Sequence, residues 1–378
     1  MTDEEADDWN PHSRLCIARL RDHGVDMTGF AQTRELLPVP DIPGYRTLKC
    51  DFHLHTVFSD GDVWPTTRIT EAWRDGLDAI SFADHSDYNP HSDDVKNDPA
   101  RAYELALPAA ETLGIILIPG IEVGEDDLHC NALFITDSHS LRGGKLIETL
   151  QKARSQDAFV FWNHPGWKQP AEWFPLIADA YNAKLIQGME LVNGNSFYPE
   201  AYRWVEEKKL TILANSDAHE PVPQACAGGL RPITLVFART ADRAGIREAL
   251  SARRTAAWMG GEVWGDESLL KMLWEAAVKV EGKERDLKPG GPPVGVRLRN
   301  DSAIPFRLHI GKGPDWLLGV QGDVLLPGQK AIEGPLSAAA NAPAGRQRVE
   351  IEMEIKNLHV APGRNLTVRL PLSLVLSQ

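Results

Sequence analysis

Nine residues of the kinds that bind divalent metal ions lie in six short clusters between positions 53 and 219. Six are histidines and three are carboxylates, and nearly every cluster ends a short apolar run typical of a β-strand. The candidate ligands are His53, His55, Asp60, His85, Glu122, His129, His164, Asp217 and His219. Mixed imidazole and carboxylate ligands suit zinc, manganese or iron. Nine such ligands at one site can bind two or three divalent ions, which is the number that we expect. The pattern therefore predicts a metal-dependent hydrolase.

The spacing inside the clusters supports this prediction. His53 and His55 are two residues apart on a predicted strand, so both imidazoles are expected on one face, where they can bind one ion. Asp217 and His219 repeat this spacing, and Glu122 follows a Pro-Gly pair as the expected carboxylate between two ions. A single histidine of this kind is more often a packed core residue. The prediction therefore depends on all the clusters together.

Strand ends must meet if these clusters are to form one site. From position 47 the sequence alternates between predicted strands and helices. The strands are predicted at 47–54, 79–84, 115–123, 158–163, 188–193, 211–216 and 233–238, with a shorter one at 130–136. Seven strands alternating with helices predict an α/β fold, a parallel seven-stranded barrel with its site at the carboxyl ends of the strands. An open doubly wound sheet is less favoured. Its ligands would lie near one switch point, whereas the candidate ligands here follow almost every predicted strand.

The sequence also divides by composition. Residues 1–46 are predicted to be an N-terminal extension and linker, with a short helix near 13–22, and residues 47–262 the barrel. A connecting helix is expected within 263–284. Alternating apolar and charged residues then predict a small all-β, sandwich-like domain over 285–378.

Charge and targeting signals limit the partners. The 378 residues include 53 acidic and 40 basic side chains, a net charge of −13, which argues against nucleic acid as a general partner. No apolar run reaches the length of a membrane span, so no membrane partner is expected. The acidic N-terminal residues lack the features of a signal peptide. A cytoplasmic location is expected, with a periplasmic one open if a leader has been lost; a homodimer is also left open.

The motifs in combination resemble those of the PHP family, the polymerase and histidinol phosphatase superfamily. They are HxHTxxSDG at 53–61, DH at 84–85, PGIE at 119–122, the downstream His129, NHPG at 163–166 and SDAH at 216–219. The resemblance covers about 47–260 and implies a distorted seven-stranded β/α barrel with a dinuclear or trinuclear centre. No ligand position of the family is substituted in this sequence. The complete ligand set argues against an inactive member of the PHP family.

The resemblance also implies how the ions are shared. One ion would take His53, His55, Glu122 and Asp217, a second would share Glu122 and take His129 and His164, and a third would take Asp60, His85 and His219. The runs 62–68 and 84–88 and the C-terminal β-domain are similar to a bacterial PHP branch associated with phosphodiester hydrolysis.

The predicted function is therefore hydrolysis of small organic phosphodiesters, through attack of a metal-bridging hydroxide on phosphorus. The predicted catalytic residues are Glu122, Asp217, His219 and Arg231. Arg231 would clamp a phosphoryl oxygen, although a packing role is weighted equally. A phosphomonoesterase acting on an amino-alcohol, nucleotide or sugar phosphate and an amidohydrolase-like enzyme stay as alternatives. A non-catalytic regulatory domain is disfavoured by the intact ligand set.

Overall fold

The computed structural model describes residues 34–96, 98–168, 170–226 and 231–377. The predicted helix near 13–22 lies outside the described residues. The first group of elements is β1 (Arg46–Leu54), α1 (Pro65–Arg74), β2 (Ala79–Phe82), α2 (Arg101–Leu113), β3 (Ile116–Ile118), β4 (Gly120–Glu125), β5 (Leu128–Leu133), α3 (Leu146–Ser155), β6 (Phe159–Trp162), α4 (Pro175–Asn182), β7 (Gly188–Asn193), β8 (Ser196–Phe197), α5 (Pro199–Lys208), β9 (Thr211–Asn215), α6 (Val222–Ala225), β10 (Ile233–Ala238), α7 (Arg243–Ser251), β11 (Thr255–Met259) and β12 (Glu262–Gly265). Each of the seven strands predicted from the alternation overlaps an observed strand.

The remaining elements are almost entirely strands. They are α8 (Glu267–Ala277), β13 (Val278–Glu281), β14 (Glu284–Leu287), β15 (Val294–Asn300), β16 (Phe306–Ile310), β17 (Leu317–Gly319), β18 (Gly322–Leu326), β19 (Ala331–Ala338), β20 (Gly345–Ala361) and β21 (Arg364–Leu376). The connecting helix is shorter than the range 263–284, because strands border it on both sides. Asp266 caps its first turn by accepting a hydrogen bond from the backbone N–H of Ser268 at 2.8 Å.

The fold is α/β, but no closed seven-stranded barrel is found among the described residues. One sheet runs β3-β2-β1-β10-β11-β12, and a second runs β4-β5-β6-β7-β9. Several neighbours are antiparallel, including β1 with β10 and β4 with β5, so the expected all-parallel arrangement is wrong. Between the two sheets, the described strand ends share single backbone bridges, Leu54 to Ala218 and His85 to Glu122.

Two local features lie where the strand pairing of the sheets is interrupted. The predicted third strand is divided into β3 and β4 at Pro119, which has no N–H to donate to a neighbour. Beside β9, the hydroxyl of Thr234 accepts a hydrogen bond from the N–H of Ala214 at 2.9 Å and donates one to its carbonyl at 2.8 Å. A side chain thus satisfies backbone groups that a neighbouring strand would pair in a closed barrel.

A buried apolar core lies between the two sheets. It combines side chains from both, including Phe52 of the first sheet and Leu133, Phe161 and Leu213 of the second, all of them buried. Burial of such large side chains stabilises each by roughly 1.5–3 kcal/mol. The packed interior keeps the strand ends in fixed positions around one end of the sheets.

The C-terminal strands form two layers that continue from the α/β part. β13, β15, β19 and β17 form one sheet, while β16, β18, β20, β21 and β14 belong to the other. The second layer joins the first sheet of the α/β part, because β20 pairs in parallel with β12. Residues 36–378 group as one compact unit, and the predicted boundaries at 46, 262 and 284 stay predictions. None of the described helices has the length and apolar character needed to cross a membrane.

Candidate metal centre

The nine predicted ligands converge at one end of the two sheets. Each has a nitrogen or oxygen atom within 3.5 Å of another member of the set. His53 and His55 share a face as expected, with their Nε2 atoms 3.2 Å apart. The structure therefore brings together ligands that are separated by as many as 166 positions in the sequence, from His53 to His219 (219 − 53).

Glu122 occupies the middle of this cluster. Its Oε2 lies 3.4 Å from His53 Nε2 and 3.3 Å from His85 Nδ1. Its Oε1 lies 3.0 Å from His129 Nδ1 and 3.5 Å from His164 Nε2. Because its two oxygens face different groups of imidazoles, Glu122 has the geometry of a carboxylate between two ions.

The donor atoms form four overlapping groups in which every atom lies within 4.8 Å of the others. These are His53 with His55 and Asp217; His53 with Glu122 and His164; His85 with Glu122 and His129; and His55 with Asp60, His85 and His219. The last group contains the set that the resemblance implies for a third ion, with His55 added. Each of these groups could hold a divalent metal ion.

Unpartnered donor atoms show that the cluster fits metal ions. Asp60 Oδ1, His164 Nδ1 and Asp217 Oδ1 are buried and make no hydrogen bond. Asp217 Oδ1 nevertheless lies 3.1 Å from the Nε2 atoms of both His53 and His55. A buried polar atom almost always has a hydrogen-bond partner. Oxygen and nitrogen atoms that lie close together without hydrogen bonds are expected where both face the same metal cation.

Electrostatics keep the carboxylates of the cluster ionised. Burial alone would raise the pKa of Asp217 and Glu122, but the neighbouring histidines outweigh it and hold both pKa values well below their ordinary range. The effect is reciprocal. Burial alone would lower the pKa of His53, but Asp217, Glu190 and Glu122 raise it well above its ordinary value. Metal binding would then displace protons from imidazoles such as His53.

The backbone is constrained where it presents ligands. Asp217 has φ 51° and His164 has φ 27°, which are uncommon for residues other than glycine. Gly124 faces His129 across the β4–β5 pair, and a Cβ there would lie 2.6 Å from His129 Cδ2. Strained or crowded backbone of this kind is characteristic of functional sites.

Comparison with known proteins identifies the family. A two-domain protein from Bacteroides vulgatus, which contains a predicted PHP-like metal-dependent phosphoesterase, is similar at 37% identity and a TM-score of 0.82 over 90% of this chain and 100% of that one. The chain belongs to the PHP-like metal-dependent phosphoesterases. No protein-family model and no curated protein matches the sequence.

Two further solved structures have lower similarity. A protein from Bifidobacterium adolescentis assigned to the metal-dependent phosphoesterases is 18% identical, with a TM-score of 0.40 over 58% of this chain and 98% of that one. An amidohydrolase from Chromobacterium violaceum is 14% identical, with a TM-score of 0.39 over 56% of this chain and 97% of that one. Likenesses this weak carry no conclusion about the activity of the chain.

Glu190 is a buried residue of this phosphoesterase that the sequence motifs do not include. On β7, its Oε1 accepts from His53 Nδ1 at 2.9 Å, and its Oε2 accepts from the backbone N–H of His164 at 2.8 Å. It thereby directs the Nε2 of His53 toward the cluster. The only signal in the sequence is a charged residue inside the apolar run of β7.

Arg68 ties together the segments of the phosphoesterase that carry ligands. Its buried guanidinium donates to the carbonyl oxygens of His55 at 2.9 Å, Ala218 at 2.8 Å and His219 at 2.7 Å, and it pairs with Glu71. The N–H groups of the Arg68 guanidinium thus donate to acceptors of the protein. The residue therefore positions loops and has no donor directed to a substrate.

Arg231 lies apart from the ligands, in contrast to its predicted role. Its Nε and Nη2 donate to Asp51 at 3.2 and 2.9 Å, and its Nη1 donates to Asp75 at 2.6 Å. Asp51 in turn accepts a hydrogen bond from the hydroxyl of Ser216, next to the ligand Asp217. The geometry thus favours the packing alternative over a phosphoryl clamp, because the guanidinium fork is already paired with carboxylates.

A cavity of about 430 Å³ opens onto the metal ligands. Its lining includes four of the candidate ligands and several loop residues: Asp60, His85, Glu122, His129, Asp87, Tyr88, Gly124, Asp126, Trp167 and Lys168. Cavities of this size accommodate small organic ligands. Its position beside the ligands makes it the candidate substrate pocket of the phosphoesterase.

Proposed function

We propose that this phosphoesterase hydrolyses small organic phosphodiesters, with two or three zinc, manganese or iron ions held by the nine ligands. The observation that supports it most directly is the arrangement around Glu122, whose two oxygens face separate groups of imidazoles. Bound divalent ions would supply an activated water and neutralise the nonbridging phosphoryl oxygens. The predicted catalytic residues Glu122, Asp217 and His219 act as ligands in this proposal.

The protein's own residues orient this chemistry. Asn163 donates to Glu122 Oε1 at 2.7 Å and so restricts rotation of the central carboxylate. Asn193 donates to Asp217 Oδ2 at 3.1 Å and to Glu190 Oε2 at 2.8 Å. These hydrogen bonds hold ligand atoms in place before substrate binds, which reduces the reorganisation needed during the reaction.

The charge of the pocket supports a diester over a monoester substrate. A monoester is largely a dianion near neutral pH, since its second pKa is about 6, whereas a diester carries one negative charge. Arg68 and Arg231 are both committed to protein acceptors. Lys168 is the one cation among the described residues that line the cavity, and it lies 3.4 Å from Asp127. Apart from the metal ions, the pocket therefore offers little positive charge for a dianion.

The test compares two substrates that share a leaving group. The protein is loaded with manganese or zinc, its metal content is measured, and turnover of bis(p-nitrophenyl) phosphate is compared with that of p-nitrophenyl phosphate. We expect about two to three ions per chain and faster diester turnover, with both metal binding and activity reduced in His164→Ala and Asp217→Ala. His139→Ala provides the matched control, because this histidine is exposed and lies outside the cluster.

Each other outcome changes the proposal in a defined way. Faster monoester turnover would replace it with a phosphomonoesterase. Bound metal with neither activity would contradict phosphoester hydrolysis of small substrates and favour a different hydrolytic reaction, such as that of the amidohydrolase-like alternative. An inert protein that binds no metal, with ligand variants as stable as wild type, would favour a non-catalytic role.

A further inference from the structure

The walls of the cavity beyond the metal ligands carry aromatic rings. Tyr88 lies beside one ligand, its ring centroid 5.9 Å from that of His85. Trp167 lies beside two others, with centroids 5.3 Å from His129 and 5.0 Å from His164. Both aromatic residues are exposed, Tyr88 by 58% and Trp167 by 39%, although most large apolar side chains of the chain are buried. Tyr88 therefore presents its ring to a molecule bound at the ligands, and Trp167 presents the part of its indole that Lys168 does not cover.

The same walls carry an excess of negative charge. Among the described residues that line the cavity, the charged ones besides the candidate ligands are Asp87, Asp126 and Lys168. Both aspartates are exposed. Lys168 is offset by Asp127, 3.4 Å from its Nζ, which does not line the cavity. The wall away from the metal ions is thus acidic as well as aromatic.

Aromatic faces and carboxylates together favour organic cations. An ammonium group over an aromatic ring is attracted by the ring's negative face. In this chain the indole of Trp167 already has the ammonium group of Lys168 3.8 Å above its centroid. A second phosphate or a carboxylate on the substrate would instead be repelled by Asp87 and Asp126.

We infer that the substrate is a phosphodiester with one ester group that carries an alkylammonium cation, bound between Tyr88 and Trp167 near Asp87 and Asp126. This inference rests on the proposed phosphodiesterase activity and specifies its substrate class. The phosphoryl group would lie at the metal ligands and the cation at the acidic wall. The two ends of the cavity thus match the opposite charges of such a zwitterion.

The test uses two esters of p-nitrophenyl phosphate that differ by one atom. In one the second ester group is choline; in the other it is 3,3-dimethylbutyl, in which carbon replaces the charged nitrogen. The leaving group is the same, so the ratio of their kcat/KM values measures recognition of the charge. We expect this ratio to be about 10 for the metal-loaded wild-type protein, a preference that corresponds to about 1.4 kcal/mol and lies within the range for cation recognition of this type.

Variants then show which residues recognise the ammonium group of the substrate. The ratio is expected to fall toward about 1 in the Asp87→Asn/Asp126→Asn double variant, and to fall in Tyr88→Leu, with metal content unchanged in both. Asp93→Asn is the matched control, because Asp93 is exposed in the same loop region but does not line the cavity. Its ratio should equal that of wild type.

The outcomes separate the inference from the function it rests on. A wild-type ratio of about 1 or below, or a ratio that the double variant leaves unchanged, would overturn the inference and leave the phosphodiesterase proposal intact. If neither ester nor bis(p-nitrophenyl) phosphate is hydrolysed, the proposed function itself fails.

Discussion

At the scale of single residues, the direction of a metal ligand depends on a carboxylate outside the ligand set. Glu190 is fully buried and accepts a hydrogen bond from His53 Nδ1, which leaves the Nε2 of that ring facing the cluster. It also accepts from Asn193 and Asn215. A neutral amide in its place would retain part of this network but would lose the negative charge that favours an oriented, basic imidazole.

We predict that Glu190→Gln weakens metal binding about 10-fold to 100-fold, the range expected for a residue that orients a ligand. The measurement is a competition titration with a chelating dye. Glu207→Gln, on the exposed face of α5, is the matched control and should retain wild-type affinity. Equal affinities for wild type and Glu190→Gln would show that His53 is oriented without this carboxylate.

Most of the candidate ligands could be located from the sequence because they occur in short motifs beside apolar runs. Glu190 could not, because its partners His53 and Asn215 are distant in the chain and its own neighbours are ordinary strand residues. For Arg231 the sequence supports a clamp and a packing role equally. The pairing with Asp51 and Asp75, which lie 180 and 156 positions away, favours the packing role, and the clamp stays a prediction. Motifs therefore identify donors, whereas the pairing of buried charges depends on the tertiary fold.

At the scale of elements, the hairpin of β4 and β5 presents two ligands on neighbouring strands. Glu122 lies on β4 and His129 on β5, and Gly124 is paired directly with His129. The missing side chain at position 124 lets the imidazole lie close to the backbone. Position 124 therefore requires glycine because of the close contact with His129. The backbone of Gly124 is not in the left-handed conformation that also favours glycine.

We predict that Gly124→Ala displaces the His129 ring and lowers both metal content and diesterase activity, the activity by at least about tenfold, as for loss of a well-placed ligand contact. Metal analysis and steady-state kinetics measure the two effects. Gly261→Ala is the control, because the nearest atom to its added Cβ is Pro305 Cγ at 3.6 Å, an ordinary contact. Unchanged metal content in Gly124→Ala would mean that His129 is not a ligand or that its ring can move without loss.

Strand positions follow from the alternation of apolar runs, but strand pairing does not. The division at Pro119 and the hydroxyl of Thr234 beside β9 each change which backbone groups find partners. Pro119 is visible in the sequence as part of the Pro-Gly pair before Glu122, but apolar periodicity does not show that it divides a strand, and it gives no signal for Thr234. The prediction of a closed barrel is not confirmed, and its closure would depend on hydrogen bonds between strands that are far apart in the chain.

At the scale of the whole molecule, a charged group spans the junction between the α/β part and the C-terminal strands. Glu262 of β12 lies 2.8 Å from His359 of β20 and 2.5 Å from Arg307 of β16. Beside it, Trp264 stacks on His359, with ring centroids 5.3 Å apart. Burial alone would raise the pKa of Glu262, but His359 and Arg307 outweigh it and lower that pKa.

We predict that Glu262→Gln lowers the free energy of unfolding by about 0.5–1 kcal/mol near neutral pH. A carboxyl whose pKa is lower in the folded state stabilises the fold above its unfolded pKa, and this contribution is lost as the pH falls through the folded pKa. The difference between wild type and variant should therefore narrow as the pH falls below the ordinary value of 4.5. Urea unfolding of the metal-free proteins at several pH values measures it.

The control for this prediction is Glu267→Gln, which removes a more exposed ion pair between the connecting helix α8 and β21, Glu267 with Arg364. It should change the free energy of unfolding less than Glu262→Gln does. If the difference between wild type and Glu262→Gln instead grows as the pH falls, the carboxylate of Glu262 does not stabilise the junction.

The pairing of β12 with β20 has a consequence for how such a protein can change over evolution. If the chain ended after Gly265, the edge of β12 around Val263 and Trp264 would lose its partner. An open edge with large apolar residues pairs readily with other molecules and promotes aggregation. The C-terminal strands are therefore unsuited to gain or loss as an independent module. A shortened protein would need substitutions that protect the edge of β12 from pairing with other molecules.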